Sequence, residues 1–141
     1  MIDIVKEAED VIRELRVKTI DKRTGKEVEV YVLEMKTTQI RKFLTAVNKL
    51  SNEIAVYKAQ HVGERTLPED ICAQIRFLKV KVAYQIGREK GEKNHPIEKF
   101  MKKAKILDKI DAIGNSIHAF EQFANYMEAL VAYHKYYGGK D

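Results

Sequence analysis

Four residues in the middle of the chain alternate aromatic rings with positive charges at helical spacing. Phe77, Lys81, Tyr84 and Arg88 follow one another in steps of four, three and four residues, which at about 100° per residue places them in one stripe along a helix. Because cations can follow phosphates and rings can meet bases, such a stripe is typical of surfaces that bind single-stranded or distorted nucleic acid. The alternative is that Phe77 and Tyr84 form a second buried face, with the charged side chains extending past them.

Other cations predict a wider basic surface around this stripe. Arg76 and Lys79 lie on the same helix but off the stripe, and Arg41, Lys42 and Lys49 lie on the preceding helix. Lys42 and Lys49 are two turns apart on one side of that helix. The predicted nucleic-acid-binding residues are Arg41, Lys42, Lys49, Arg76, Lys79, Lys81, Tyr84 and Arg88.

The net charge of +5 is concentrated in one part of the 141-residue chain. Residues 76–105 contain 10 basic and 3 acidic side chains, whereas residues 1–35 contain 7 and 9. The central block therefore holds more than the whole positive excess, as a surface that faces a polyanion would require. The alternative is a solvated basic face that only keeps the protein soluble.

The residue types that commonly carry catalysis are not arranged for it. No two of the four histidines have the four-residue spacing that places two metal ligands on one helical face. Asp108 and Asp111 share a face, but the neighbouring Lys105 and Lys109 predict surface ion pairs instead of a catalytic carboxylate pair. The single cysteine, Cys72, excludes an internal disulfide and is expected to be buried. We therefore expect neither an enzyme nor a cofactor.

Long helices are predicted to position these residues, because apolar side chains recur at periods of three and four. The predicted helices cover about residues 3–16, 37–61, 67–86, 97–113 and 117–137. Thr37 or Thr38 is predicted to cap the second of them. Residues 17–34 alternate apolar and polar side chains around a turn-forming stretch, which predicts a short β-hairpin or a mobile loop.

The length and composition favour one domain of the all-α class. We expect a single domain over residues 1–141, built as a bundle of four to five helices. Residues 1–36 would form its N-terminal helix and the hairpin or loop, and residues 37–141 the main bundle. No apolar run approaches the roughly 18 to 20 residues that cross a bilayer, and no apolar signal follows Met1, so we expect a cytoplasmic protein without membrane contacts.

The end of the last predicted helix is unusually rich in aromatic and basic residues. Tyr133 and Tyr137 are four residues apart and can close the core, whereas His134, Lys135 and Tyr136 are predicted to contact a partner subunit. Two glycines follow, and glycine can adopt the left-handed backbone that ends a helix.

The chain resembles the small subunits of type III-A CRISPR (Csm) effector complexes. The resemblance runs from about Thr37 to Asp141 and is carried by three stretches in the same order: Thr37–Phe43, Lys81–Arg88 and the tyrosine-rich ending Ala132–Asp141 with its Gly-Gly-Lys-Asp. Residues 17–34 are longer and more strand-like than this family leads us to expect, and the resemblance implies no role for them.

The resemblance implies a non-catalytic helical subunit that stacks on its neighbours along the effector and helps to line the channel for the guide–target duplex. The implied partners are other Csm subunits, adjacent small subunits, the guide RNA and the target RNA, with recognition of backbone and shape while base pairing reads the sequence. One alternative is a pure assembly subunit whose basic face meets acidic protein surfaces. A helical regulator of DNA is disfavoured because no helix-turn-helix spacing is evident.

Overall fold

Six α-helices and a short β-hairpin are found among the residues that the computed structural model describes, which are 3–20, 23–25, 27–89, 91 and 94–139. The helices are α1 (Ile4–Glu14), α2 (Thr37–Gln60), α3 (Glu69–Gly87), α4 (Pro96–Lys103), α5 (Ile106–Ile113) and α6 (Ile117–Tyr136). The predicted all-α fold class is confirmed. Two stretches used above extend beyond the described part of the chain, because the block at residues 76–105 includes positions 90, 92 and 93 and the tyrosine-rich ending includes positions 140 and 141.

The N-terminal region consists of α1 and the hairpin. The Asp3 side chain caps α1 by accepting hydrogen bonds from the backbone N–H groups of Val5 and Lys6, at 3.1 and 3.2 Å. The hairpin pairs β1 (Val17–Ile20) with β2 (Glu27–Val32) in antiparallel orientation, and its register shifts after Lys18. Residues 17–34 thus contain a hairpin, although positions 21, 22 and 26 of its turn lie outside the described residues.

Buried apolar side chains from all six helices meet in one hydrophobic core. The largest fully buried side chains include Phe43, Phe100, Phe120 and Tyr126. The apolar side chains that recur every three or four residues along α2, which we call its apolar seam, are buried at Ile40, Phe43, Val47, Leu50 and Ile54. Helix α1 packs mainly on α6, and α6 also packs on α2 and α5. The last helix is therefore central to the bundle.

Helices α2 and α3 are antiparallel neighbours. Gln74 Nε2, near the start of α3, donates to Glu53 Oε1 in the second half of α2 at 3.1 Å. Lys42, near the start of α2, lines the same groove as Gln85 near the end of α3. The first half of α2 therefore lies beside the second half of α3.

The connection between α2 and α3 is fixed to the junction between α5 and α6. The backbone N–H of Leu67 donates to the Asn115 carbonyl at 2.7 Å, and the N–H of Ile117 donates to the Arg65 carbonyl at 3.1 Å. Ser116 between them caps α6, its Oγ accepting from the Ala119 N–H at 3.1 Å. These contacts hold the α2–α3 pair against α6 at one end of the bundle.

The sequence predicts one helix over residues 97–113, and the structure has two. The break falls at Lys105, whose φ of 56° is left-handed, so the i to i−4 hydrogen-bond ladder cannot continue through it. Ala104 just before it is fully buried, and its carbonyl accepts from the Tyr126 hydroxyl at 3.0 Å. Apolar side chains on both sides of the break are buried, so the apolar pattern alone cannot reveal the break.

The prediction that a threonine caps α2 is wrong. Lys36 occupies the cap position, and its backbone N–H donates to Gln39 Oε1 at 2.9 Å. Thr37 is the first helical residue and is fully buried. Its hydroxyl lies 3.0 Å from His134 Nδ1 at the end of α6, so a tertiary contact uses the group that would have capped the helix.

Candidate nucleic-acid interface

The predicted stripe on α3 is open to solvent. Phe77 is 55% exposed and Tyr84 is 66% exposed, which contradicts the alternative that these rings form a second buried face. Lys81 Nζ and Arg88 Cζ each lie 5.9 Å from a ring centroid, that of Phe77 and that of Tyr84 respectively. The four residues therefore form two aromatic–cation pairs along one exposed side of α3.

A groove between α2 and α3 runs alongside this stripe. It has a volume of about 400 Å³, and Lys42, Phe43 and Ala46 of α2 line it together with α3 residues of the stripe. A smaller depression of about 130 Å³ continues it past Lys42 to Arg88. Lys49 follows Lys42 by two turns of α2 and is exposed. We call this surface, comprising Lys42, Lys49, Phe77, Lys81, Tyr84 and Arg88, the α2–α3 surface.

The two helices bring no carboxylates to this surface. Residues 37–52 and 71–88 contain no aspartate or glutamate. Among the described residues, the ion pairs do not involve Lys42, Lys49, Lys81 or Arg88. These cations keep a positive potential that a phosphate backbone can neutralise.

Three other predicted nucleic-acid-binding residues lie away from the α2–α3 surface. Arg76 and Lys79 lie about 110° and about 170° around α3 from the centre of the stripe. Arg76 forms an ion pair with Glu69 at 2.6 Å, and Lys79 forms one with Asp111 of α5 at 2.7 Å. Arg41 is exposed but is about 100° around α2 from Lys42. The expectation that these residues widen a single basic surface does not fit their positions.

Glu89, directly after the stripe, is a structural carboxylate that sequence reasoning missed. It is buried, and its two oxygens accept hydrogen bonds from the backbone N–H groups of Ile97 and Glu98 in the first turn of α4. It therefore satisfies amide groups that the start of α4 leaves without helical partners. A carboxylate seven residues before the start of a helix gives no local capping signal, so only the tertiary structure reveals this contact.

At the C-terminal end of α6, the side chains that are buried and those that are exposed differ from the prediction. His134 is 1% exposed, with Nε2 2.6 Å from the Met35 carbonyl and Nδ1 3.0 Å from the Thr37 hydroxyl. Because a carbonyl only accepts, Nε2 carries the proton and Nδ1 accepts from Thr37. Burial lowers the pKa of His134, which favours this neutral form. His134 thus lies in the core and cannot form the partner-facing surface predicted for it with Lys135 and Tyr136, which are both exposed.

Each of the two glycines after α6 is required for a different structural reason. Gly138 has a left-handed φ of 95°. Its N–H donates to the Lys135 carbonyl at 3.2 Å, and the N–H of Gly139 donates to the His134 carbonyl at 2.8 Å. These two hydrogen bonds form a Schellman motif that ends α6. A β-carbon at Gly139 would collide with the His134 ring. Tyr137 packs on the core, and its hydroxyl donates to Glu9 of α1 at 2.7 Å.

The remaining candidates for chemistry serve the packing of helices. Asp111 pairs with Lys79 of α3, and Lys109 pairs with Glu7 of α1 at 3.0 Å, so these ion pairs join helices instead of lying within α5. Cys72 is buried, and burial raises the pKa of its thiol. Within the described ranges, histidine, cysteine and carboxylate side chains do not gather into a group of three that could hold a metal.

Among the described residues, no helix is both long enough and apolar enough to cross a membrane.

Comparison with known proteins identifies the family. The Csm2 type III-A family matches residues 12–140. The "CRISPR system Cms protein Csm2" of Mycobacterium tuberculosis strain H37Rv is 37% identical over 139 residues, covering 99% of this chain and 94% of that protein. The protein of the same name from Streptococcus thermophilus is 34% identical over 105 residues, covering 74% of this chain and 74% of that protein. The one from Enterococcus italicus is 31% identical over 122 residues, covering 85% of this chain and 80% of that protein.

These matches confirm the resemblance drawn from the three sequence stretches. The family match begins at residue 12, so it also includes residues 17–34, for which the resemblance implied nothing. The chain belongs to the Csm2 family of type III-A CRISPR systems.

Proposed function

We propose that this chain is the small subunit of a type III-A CRISPR effector complex, where its α2–α3 surface contacts the guide–target RNA. The observation that carries the proposal is the absence of carboxylate partners, among the described residues, for four cations that flank two exposed rings. Its contacts would be with the RNA backbone, since cations without an aligned hydrogen-bonding set recognise phosphates and not sequence.

The subunit acts in this proposal without catalytic residues or a cofactor of its own, in the cytoplasm. Its partners are other Csm subunits, a neighbouring copy of the small subunit, the guide RNA and the target RNA. The family membership supports the protein partners, and the charge of the α2–α3 surface supports the RNA partners. The function of the subunit is to hold the bound strands in place while base pairing supplies specificity.

The dependence of RNA binding on salt tests the electrostatic part of the proposal. The full chain should bind RNA weakly and without sequence preference. If Lys42, Lys49, Lys81 and Arg88 each neutralise about one phosphate, the slope of log affinity against log salt should be near −3, from roughly −0.7 per contact. A slope near zero, or no binding of RNA by the effector-bound subunit, would contradict the proposal.

A pure assembly role remains the second candidate, and the exposure of Tyr136 favours it. Tyr136 is 77% exposed, and its ring lies 5.0 Å from that of Tyr137 in an edge-to-face arrangement. An exposed tyrosine held by a neighbouring ring is typical of an interface anchor. If Tyr136→Ala prevents co-purification with the other Csm subunits while RNA binding by the isolated chain has no salt dependence, the assembly role replaces the RNA-binding role.

A further inference from the structure

The α2–α3 surface contains two equivalent aromatic–cation units. In each unit the cation follows the ring by four residues and lies 5.9 Å from the ring centroid, in the pairs Phe77–Lys81 and Tyr84–Arg88. The two rings are seven residues apart, which is about 10.5 Å along the axis of an α-helix. This distance matches about three nucleotide steps of about 3.4 Å in a stacked strand.

The apolar and cationic side chains of this surface form two parallel rows. Phe77, Val80 and Tyr84 line the α3 wall of the groove, and each is more than half exposed. Lys81 lines the same groove, together with Lys42 of α2. Arg88 lines the continuation of that groove. An apolar row of two rings and a valine therefore runs beside a cationic row.

We infer that this surface binds an unpaired stretch of an RNA strand, with bases stacked on the rings of Phe77 and Tyr84 and phosphates along the groove between α2 and α3. The inference rests on the proposed function and adds the strandedness of the RNA that is bound. The bases of an unpaired strand can turn to one side of its backbone, so such a strand can satisfy both rows at once.

A continuous duplex satisfies only one of the two rows. In A-form RNA the base faces are stacked inside the helix, and proteins reach mainly phosphates and 2′-hydroxyl groups. The cations of the α2–α3 surface would bind such a duplex, but the rings would find no base to stack on. Because both rings are exposed and each lies beside a cation, the surface fits an unpaired strand better than a duplex.

Three RNA probes of equal length test the inference with the full chain. They are a single strand, the same strand in a continuous duplex, and a duplex with three unpaired nucleotides in its middle that carry 2-aminopurine. At one fixed salt concentration, the single strand and the interrupted duplex should bind roughly tenfold more tightly than the continuous duplex, because each stacked base adds affinity. The 2-aminopurine fluorescence should also change on binding, as it does when that base stacks on a ring.

A ring-specific variant separates stacking from charge. The double substitution Phe77→Leu and Tyr84→Leu keeps apolar side chains of similar length and all cations, and it should lower affinity for the single strand to near that for the duplex. Val80→Ala is the matched control in the same row, and it should retain most of the preference. Duplex binding should be unchanged in both variants, which also reports that they are folded.

The possible failures are distinct. If the protein binds the single strand and the duplex equally and the leucine variant behaves like wild type, the inference is overturned while the charge-based proposal stands. If the leucine variant keeps its RNA preference but no longer co-purifies with other Csm subunits, the rings contact a protein and the inference is overturned. If none of the three probes binds, both the inference and the proposed function fail.

Discussion

The stripe on α3 and the end of α6 are built from the same residue types and reach opposite outcomes. Both combine aromatic rings with basic side chains near the C-terminal end of a helix, and both have a glycine there, Gly87 on α3 and Gly138 after α6. On α3 the rings and cations stay open to solvent. At the end of α6, His134 is buried against residues 35 and 37, and Tyr137 donates to Glu9. The residues alongside decide the outcome. Residues 37–52 of α2, beside the second half of α3, contain no carboxylate, whereas the end of α6 meets Glu9 of α1, the Met35 carbonyl and the Thr37 hydroxyl.

The same rule separates the cations of the basic block at residues 76–105. Arg76, Lys79, Lys102 and Lys103 each form an ion pair, with partners at Glu69, Asp111, Glu98 and Glu14. Lys81 and Arg88 have none among the described residues, and they belong to the α2–α3 surface. The charge of a sequence block therefore overstates the charge that is available to a ligand, because some cations are used to join helices.

The contrast between the two regions would be wrong if the end of α6 were exposed to solvent like the stripe on α3. Substitution of His134 tests this, and it has the largest expected effect on the free energy of unfolding. His134→Ala should lower the free energy of unfolding by about 3 kcal/mol, because it leaves a cavity and strands the Met35 carbonyl and the Thr37 hydroxyl without a partner. Tyr136→Ala, two residues on and largely exposed, should change it by less than about 0.5 kcal/mol. Urea denaturation followed by circular dichroism measures both, and equal stabilities would contradict the burial of His134.

The pH dependence of stability gives this prediction an independent readout. Burial places the pKa of His134 in the folded state below its usual value, which is about 6.5 in the unfolded chain. The unfolded state therefore binds more protons below pH 6.5. The free energy of unfolding should fall as pH decreases from 6.5 towards the folded-state pKa, by at most about 1.4 kcal/mol per pH unit. His134→Ala should lack this component.

Glu89 provides a further test of the comparison, because it is a carboxylate at the end of the stripe that is buried and accepts hydrogen bonds within the fold. Glu89→Ala should destabilise the protein by about 2 kcal/mol, since it removes the acceptor for two amide groups at the start of α4. Glu89→Gln keeps one carbonyl acceptor and should cost about half as much. The measurement is thermal and urea denaturation. A Glu89→Ala protein as stable as wild type would mean that the side chain does not cap α4.

The sequence alone predicts the features that depend on periodicity. The apolar seam of α2 and the single stripe on α3 both follow from steps of three and four residues, and the structure has both. The helix stop after α6 follows from the conformational freedom of glycine, and Gly138 adopts it. These are local properties, so neighbouring residues contain the information.

Features that depend on contacts between distant residues could not be predicted in this way. Lys79 and Asp111 are 32 residues apart, and the sequence favoured pairing of Asp111 within its own helix. Thr37 and His134 are 97 residues apart, and a threonine at a helix start is more simply explained as a cap. In each case a local partner was available in the sequence, and tertiary packing supplied a different one.

A pair of matched double substitutions on α3 tests the comparison with the smallest expected effect. Lys81→Ala with Arg88→Ala and Arg76→Ala with Lys79→Ala each remove two positive charges from the same helix. The first pair should weaken binding of single-stranded RNA about tenfold, equivalent to about 1.4 kcal/mol, and reduce the salt slope by about half. The second pair should weaken it less than about twofold, because those cations already face Glu69 and Asp111.

Both double variants should remain nearly as stable as wild type, because exposed ion pairs contribute at most about 1 kcal/mol each. Fluorescence anisotropy over a series of salt concentrations measures affinity and slope together, and thermal melting checks the fold. If both variants lose the same affinity, the protein responds to its total charge and the distinction between paired and unpaired cations has no functional meaning. If only the Lys81 and Arg88 variant loses affinity, the arrangement of charge on α3, and not its amount, determines where RNA binds.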